Sequence, residues 1–571
     1  MRADVVTLNE ILNANIQMII PLFQRSYSWE REQVETLWED INKIYNGTVK
    51  NDKTTHFLGP IVRIEHLARS TDIIRKFSLI DGQQRIITLM ILLACIRNVF
   101  KNNDDAIVKK IESEYLLNYK EKEENKFKLV PSESDKKNFK NIILGIGGLA
   151  DSKLRDTFDF FTKELTGKLT DELFESKKEL DLKKLMEIVI NNLIIVSIDM
   201  DKEENPYLIF DSLNAKGTLL TQADRIKNYI FMKIDDEEKQ KQLYRDYWYP
   251  METLKQIPIP SSDGLDEFFR TYFCREGTFV KITRTYANLK NELEKADTEE
   301  DVEKELRKLH EYSEYYSRLI KPEEEPEEEL KSRFIRHNLW EIGTAYPFLL
   351  NIYKDYSENN ISLNQFCEIL DIIEAFVIRR FFCRWSSNKL NKLFIGLYKL
   401  IKKNNIMDSL KSSLAKEFPS DTEFKQGLET FPIYASGNER TKLILETLEN
   451  AFHHKEPIEH KKLQIEHIMP RVNDDSERLS SEWKKMLGEN YKKIHTKYVH
   501  TLGNLTLTGY NQELSTKPFN LKKQYLGKSP LALNKYFDNI EKWDEEEIIK
   551  RTELLTEIAI KTWRDVEIRL F

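Results

Sequence analysis

The residues best suited to chemistry lie near the C-terminal end of the chain. Gln464–Pro470 reads Q-I-E-H-I-M-P, and Leu502–Asn511 reads L-G-N-L-T-L-T-G-Y-N, with residues 471–501 between them. These residue types suit hydrolysis of a phosphodiester. The attacking water must lose a proton, and a neutral imidazole accepts one well near pH 7. The crowded phosphate charge and the leaving oxygen need a divalent cation held by oxygen ligands. A carboxylate and an asparagine amide oxygen favour Mg²⁺ or Mn²⁺ over zinc. On a strand, Glu466 and His467 point to opposite faces. Pro470 argues that this strand ends, so Glu466 can face a metal while His467 faces the scissile phosphate. Asn504, in a glycine-containing loop, can pin the histidine loop by hydrogen bonds. Asn511, opening a following helix, can be the second protein ligand. Taken singly, His467 could be a satisfied structural histidine and L-G-N-L an ordinary turn; their order and spacing together point to a site. Between Tyr491 and Pro530 seven lysines, among them Lys517, Lys522 and Lys523, face one acid, Glu513. This patch is either a solvated helix face or a DNA contact.

A second candidate lies near the start. Ile20–Trp29 reads I-P-L-F-Q-R-S-Y-S-W, and Leu79–Arg85 reads L-I-D-G-Q-Q-R. Gly82 permits a tight strand-to-helix turn, and the free N–H groups of the helix it opens favour an anion. Gln83 and Gln84 add amide donors, Arg85 adds a bidentate phosphate fork, and Asp81 can hold a cation. Gln24 and Arg25 follow a strand and can reach the same corner, which suits a triphosphate or a nucleic-acid phosphate. The alternative is a capped helix start with surface Gln and Arg. No G-x-x-x-x-G-K-[ST] segment occurs, which excludes a P-loop enzyme. Gly145–Gly148 lacks a preceding strand and reads as a turn.

These residues must be positioned by the elements around them. Met18–Phe23, Phe57–Ile64 and Phe77–Ile80 read as strands, and Arg85–Phe100 as a buried helix with Ile86, Leu89, Met90, Leu93 and Ile96 at helical spacing. Leu193–Ile198 can return to the sheet. Ile209–Met232 reads as a loop around residues 214–217 followed by a helix. Residues 236–450 read as nearly all helix, with the acidic run Lys321–Lys331 an exposed connection. The last segment, from about 451, holds six of the ten histidines and ends in an amphipathic helix over Glu545–Phe571. The expected domains are therefore 1–235, 236–450 and 451–571, as 571 residues at the usual ~100–200 per domain allow. The fold class is α+β, predominantly helical. A 40% apolar fraction with 18 glycines and 16 prolines excludes a disordered chain. The net charge of −7 excludes a general nucleic-acid coat, so any DNA contact must be local. Four cysteines stand singly, which indicates neither a zinc site nor a disulfide framework. With no signal-like start and no run of about 18 apolar residues, a cytoplasmic protein without membrane contact is expected.

The C-terminal segment resembles the HNH (ββα-metal) nuclease family, and more narrowly the E-H-I-x-P…L-G-N-L…N variety at the C-terminus of GmrSD-like restriction enzymes. The resemblance implies His467 as general base, Glu466 as a metal-holding acid and Asn504 as orienter of the base loop. The last HNH position, often His, is Asn511 here, as in some HNH nucleases where Asn is the metal ligand. A basic position of that family falls on Lys523. At the other end, D-G-Q-Q-R preceded by P-x-F-Q-R-x-Y-x-W resembles the ParB/sulfiredoxin-like domain that opens GmrSD-like proteins and their phosphorothioate-sensing relatives. Ile209–Asn228 matches that domain's other signature. This implies a nucleoside triphosphate pocket formed by Asp81, Gly82, Gln83, Gln84 and Arg85, with Gln24, Arg25, Lys227 and Asn228 nearby. Together the resemblances imply a modification-dependent (type IV) restriction endonuclease. Such an enzyme would use Mg²⁺ or Mn²⁺ and ATP or GTP, and would nick or cleave modified double-stranded phage DNA; a homodimer is compatible with this. Two other classes remain open at this point: a nucleotide-dependent DNA-binding regulator with an inactive nuclease domain, and an RNase-type toxin.

Overall fold

The computed structural model describes residues 2–13, 15–47, 55–66, 74–101, 104–166, 181–200, 221–234, 236–259, 262–294, 298–452 and 462–566. The chain folds as two compact units. The first is Met1–Thr253 with Tyr286–Arg307, and the second is Leu254–Thr285 with Lys308–Phe571. The fold is predominantly helical, with a mixed sheet in the N-terminal region.

Six strands build that sheet: β1 (Arg2–Thr7), β2 (Ile16–Ile19), β3 (His56–Glu65), β4 (Arg75–Asp81), β5 (Leu129–Val130) and β6 (Leu193–Met200). Their order is β1-β6-β3-β4-β2-β5. β2 runs parallel to β4 and β5, and β3 is parallel to β6 but antiparallel to β4. The strand expected over Met18–Phe23 lies earlier, at Ile16–Ile19. Pro21 cannot donate to a ladder, so the chain leaves the sheet there. The strand expected at Leu193–Ile198 extends to Met200 and sits inside the sheet between β1 and β3. The loop expected at residues 214–217 lies outside the described residues.

The helix Gln83–Phe100 is apolar on all sides and is buried accordingly, with Ile86, Leu89, Met90, Leu93 and Ile96 at 0% exposure. It is long and apolar enough by length and composition to cross a membrane, yet 83% of it is buried inside the protein. The helix starts at Gly82, whose φ of 89° favours glycine. A Cβ there would meet Ile61 Cγ2 at 2.5 Å. The helix Arg31–Tyr45 buries Val34, Leu37, Trp38 and Ile41 at i, i+3, i+4 and i+7 into the same core.

Among the described residues, the second unit is helical apart from two strand pairs. The short hairpin β7 (Pro258–Ile259) and β8 (Ser262–Asp263) interrupts the region expected to be all helix. The longest central helix after residue 320, Leu363–Phe382, opens with a capping box between Ser362 and Gln365 and buries Phe366, Ile369, Leu370, Ile373 and Phe376. The acidic run is not wholly an exposed connection: Glu325 is buried and accepts a hydrogen bond from the Tyr353 hydroxyl at 2.5 Å. The second pair, β9 (Gln464–His467) and β10 (Leu505–Thr508), is antiparallel, with His467 opposite Leu505 and Glu466 opposite Thr506. The short helices Asn511–Leu514 and Phe519–Leu526 follow β10. The last helix ends at Thr562 rather than at the chain end. It lies against the L-G-N turn so closely that a Cβ on Gly503 would meet Thr552 Oγ1 at 2.1 Å and Ile548 O at 2.6 Å.

Candidate functional site

The C-terminal candidate is organised by one side chain. Asn504 is fully buried, and its carboxamide makes four hydrogen bonds. Oδ1 accepts from Met469 N (2.8 Å) and Trp543 Nε1 (3.1 Å), and Nδ2 donates to Met469 O (2.9 Å) and Val499 O (3.0 Å). Its backbone oxygen accepts from Ile468 N at 2.9 Å. The chain leaving β9 is thus tied to the turn entering β10, and the position of His467 is fixed by both strands. Arg551, from the last helix, completes the clamp by donating from Nη1 to Gly503 O (2.7 Å) and Leu505 O (2.6 Å). Burial pushes its guanidinium down to about 9. Sequence reading missed Arg551. The available signal was a cation in the buried stripe Ile548, Arg551, Thr552 and Leu555.

His467 is 9% exposed and packs edge-to-face on Tyr434 at 4.4 Å between ring centroids. Burial pushes its imidazole down to about 3, helped by the nearby cationic or titratable groups His500, Lys522, Arg471 and His495. A neutral ring with a free lone pair is what a proton acceptor requires.

Glu466 lies across the strand from His467 and faces Lys522. Lys522 Nζ donates to Glu466 Oε1 at 2.5 Å and to His467 O at 2.6 Å. Lys522 is fully buried, so it is not part of a DNA-contacting surface as expected. It falls on the buried stripe Phe519, Lys522, Leu526 of its short helix. Burial pushes the Glu466 carboxyl up and the Lys522 ammonium down, and each partner's charge opposes the shift of the other. Lys523 is half-buried, with Nζ donating to Ile540 O at 3.0 Å. Lys517 is exposed and stands 5.5 Å from the Tyr525 ring, which Lys528 also flanks at 5.2 Å.

Asn511 Nδ2 donates to Gln464 Oε1 (2.9 Å) and Ile465 O (3.2 Å), which leaves Oδ1 buried with no hydrogen-bond partner. A buried amide oxygen without a hydrogen-bond partner is a donor that a hard cation could use. Among the described residues no group of three or more His, Cys, Asp or Glu could hold a metal. Glu466 and the Asn511 amide oxygen are hard oxygen donors, the kind Mg²⁺ can take singly or in pairs while it keeps its waters.

The N-terminal candidate forms where β4 turns into the long helix. Arg85 Nη2 lies 3.9 Å from Asp81 Oδ2, and Arg85 Nη1 donates to Leu58 O at 3.1 Å. Gly59, with φ of 105°, leaves room for that guanidinium: a Cβ there would lie 2.4 Å from Nη1. Arg25 is brought to the same corner and feels the charges of Asp224 and Asp81. Burial pushes Arg25 and Arg85 down and Asp81 up, against their mutual attraction. Gln24 Nε2 donates to Ile80 O at 3.0 Å, and Gln83 Nε2 donates to Gln24 Oε1 and Arg25 O, both at 3.2 Å.

Two of the expected contacts are committed elsewhere. Gln84 uses both amide atoms on the loop after β2, accepting from Ser28 N (2.8 Å) and donating to Ser26 O (3.2 Å). Lys227 is buried and paired with Glu252 at 3.0 Å. Two atoms nearby in sequence to these are open: Gln83 Oε1 and Asn228 Oδ1 are buried without a hydrogen-bond partner. Gly145, part of the glycine cluster, ends a helix at φ 67° as a turn residue.

Against known protein families, residues 8–231 match the N-terminal domain of the GmrSD restriction endonuclease, and residues 418–558 match the C-terminal domain of GmrSD restriction endonucleases. No curated protein matches the chain.

Proposed function

The chain belongs to the GmrSD restriction endonuclease family, and from that premise we propose a modification-dependent (type IV) enzyme that cuts phage DNA in the cytoplasm. The cut would be made at a one-metal HNH (ββα-metal) site on β9–β10, under control of a nucleoside triphosphate held by the first unit. The observation that carries this reading is the Asn504 carboxamide, which locks the His467 segment and the L-G-N turn into one rigid pair.

In this reading His467 takes the proton of the attacking water. Burial holds its ring neutral, the form that carries the lone pair a base uses. Glu466 and Asn511 Oδ1 would hold Mg²⁺ or Mn²⁺; when bound, the ion supplies charge stabilisation at the phosphate and the leaving oxygen. Lys522 holds Glu466 in place and offsets its negative charge. Exposed Lys517 and Lys528, flanking Tyr525, supply phosphate contacts on the double-stranded DNA. In the first unit, Arg25, Arg85 and the N–H groups at the start of Gln83–Phe100 suit a triphosphate. Asp81 suits its counter-cation, and Gln83 Oε1 and Asn228 Oδ1 suit donors on the nucleoside.

Nicking of supercoiled plasmid in Mg²⁺ or Mn²⁺ tests the cutting site. His467→Ala should lose about 10²–10⁴-fold in rate, the usual contribution of a general base. Equal nicking by both proteins refutes the assignment.

A further inference from the structure

His467 does not end its hydrogen bonding at the strand. Its Nε2 lies 3.4 Å from Nδ1 of His500, and His500 Nε2 lies 2.9 Å from Asp474 Oδ1. Tyr434 holds both rings: it meets His467 edge-on at 4.4 Å and stacks on His500 at 5.5 Å and 9°. Its backbone N–H also donates to His500 O at 3.3 Å. Asp474 reaches His500 from an unusual turn. Val472, Asn473 and Asp474 have φ of 47°, 57° and 60°, three consecutive non-glycine residues in the left-handed region. Such backbone persists only where its surroundings over-determine it, and it gathers at functional sites. The other groups facing this chain do not break it. Arg471 stands 3.9 Å from the same Asp474 oxygen, and His495 is turned to Pro470 O at 3.0 Å.

The direction of these bonds follows from the acceptor at one end and the base at the other. A carboxylate only accepts, so His500 Nε2 carries a proton and donates it to Asp474. A base needs its lone pair free for water, and the Nε2 of His467 is the nitrogen turned to His500. With His467 as the base, Nε2 therefore donates to His500 Nδ1, which leaves the lone pair of His467 on Nδ1.

We infer that His500, oriented by Asp474, is the positioning residue that selects the tautomer of His467 and makes Nδ1 the nitrogen that receives the proton of the attacking water. This rests on His467 being the base. In the step, an O–H bond of water breaks and its proton passes to His467 Nδ1. The water oxygen uses the freed electron pair to bond to phosphorus, and the bond from phosphorus to the leaving oxygen breaks with its pair going to that oxygen. The leaving oxygen is then protonated by solvent water.

The test uses the full chain with Mn²⁺ on supercoiled plasmid, reading kcat and KM separately, with thermal unfolding as a check on folding. His500→Gln keeps a carbonyl acceptor toward His467, whereas His500→Lys offers only donors. His500→Lys should lose about 10–100-fold in kcat at unchanged KM, the usual effect of removing an orienting partner, and His500→Gln should recover most of it. Equal activity of His500→Lys and the native protein, or equal losses in the Gln and Lys variants, overturns the inference. If His500→Lys does not fold, Asp474→Gly decides, because glycine suits the left-handed turn and removes the acceptor. A lowered kcat supports the chain of bonds, and an unchanged kcat overturns it. Inactive His467→Ala beside fully active His500→Lys and Asp474→Gly removes only this inference. Fully active His467→Ala removes the cutting site itself.

Discussion

Removing the amine of Lys522 would leave the Glu466 carboxylate buried without its counter-charge. Lys522→Met should therefore destabilise the second unit by about 3–5 kcal/mol, read as a lower unfolding temperature of the full chain; an unshifted melting curve contradicts the pairing. Lys517→Ala should do the opposite. That side chain is exposed, so melting should hold while the salt dependence of DNA binding weakens by about one phosphate contact, ~0.9 in the log–log slope. The sequence made these two lysines look alike, because a lysine-rich stretch shows charge and hides which residue falls on the buried stripe. His500 was visible two residues before L-G-N, but nothing in the sequence tied it to Asp474 or Tyr434. Those contacts are made by separate turns, one of them left-handed. A histidine outside the site gives a test in pH. Burial pushes His337 down to about 4, while an unfolded imidazole titrates near ~6.5. Between those values the unfolded chain binds the extra proton. The stability His337 confers is thus complete above about 6.5 and drains away as pH falls toward 4. His337→Gln should flatten the dependence of unfolding temperature on pH across that window, and an unaltered slope would count against burial of a neutral ring.

The strand pair and the helix behind it depend on each other. Gly503→Ala places a methyl group against Thr552 Oγ1 and Ile548 O. It should cost about 1–3 kcal/mol by overpacking and lower nicking as the turn is displaced. Unchanged melting and unchanged nicking together would contradict so close a contact. The turn that sets this contact was readable, since L-G-N-L carries its own glycine. The partner helix was readable as amphipathic, but its docking point was not, because periodicity gives a face and no address. The N-terminal elements were legible for a similar reason. Gly82 marked the corner between β4 and the long helix, and apolar spacing marked the helix. The inner position of β6 was not legible, since a run of branched residues fits an edge or a centre equally. The small β7–β8 hairpin falls in I-P-I-P-S-S-D-G, whose prolines break a helix, inside a region that otherwise reads as helix.

At the scale of the whole chain, the two candidate sites should be separable by mutation. Asp81→Ala or Arg85→Ala should abolish release of phosphate from ATP or GTP without lowering the stability of the second unit. His467→Ala should lower nicking about 10²–10⁴-fold and keep nucleotide hydrolysis. Undiminished hydrolysis in both first-unit variants would remove the triphosphate assignment. A panel of phage genomes with different base or backbone modifications, digested with and without nucleotide, would identify the mark. The order of a GmrSD N-terminal domain and a GmrSD C-terminal domain was legible because each carries a short motif. Neither motif could show that the two units are interleaved. The first unit takes back Tyr286–Arg307 after the second has begun with Leu254–Thr285. Neither unit is a contiguous stretch of gene, so a simple swap of one half between relatives would carry away part of the other. A ribosome must also pass residue 307 before the first unit has all its parts, and residue 505 before His467 finds its partner strand. A chain cut short before residue 505 would therefore lack the strand that pairs with His467.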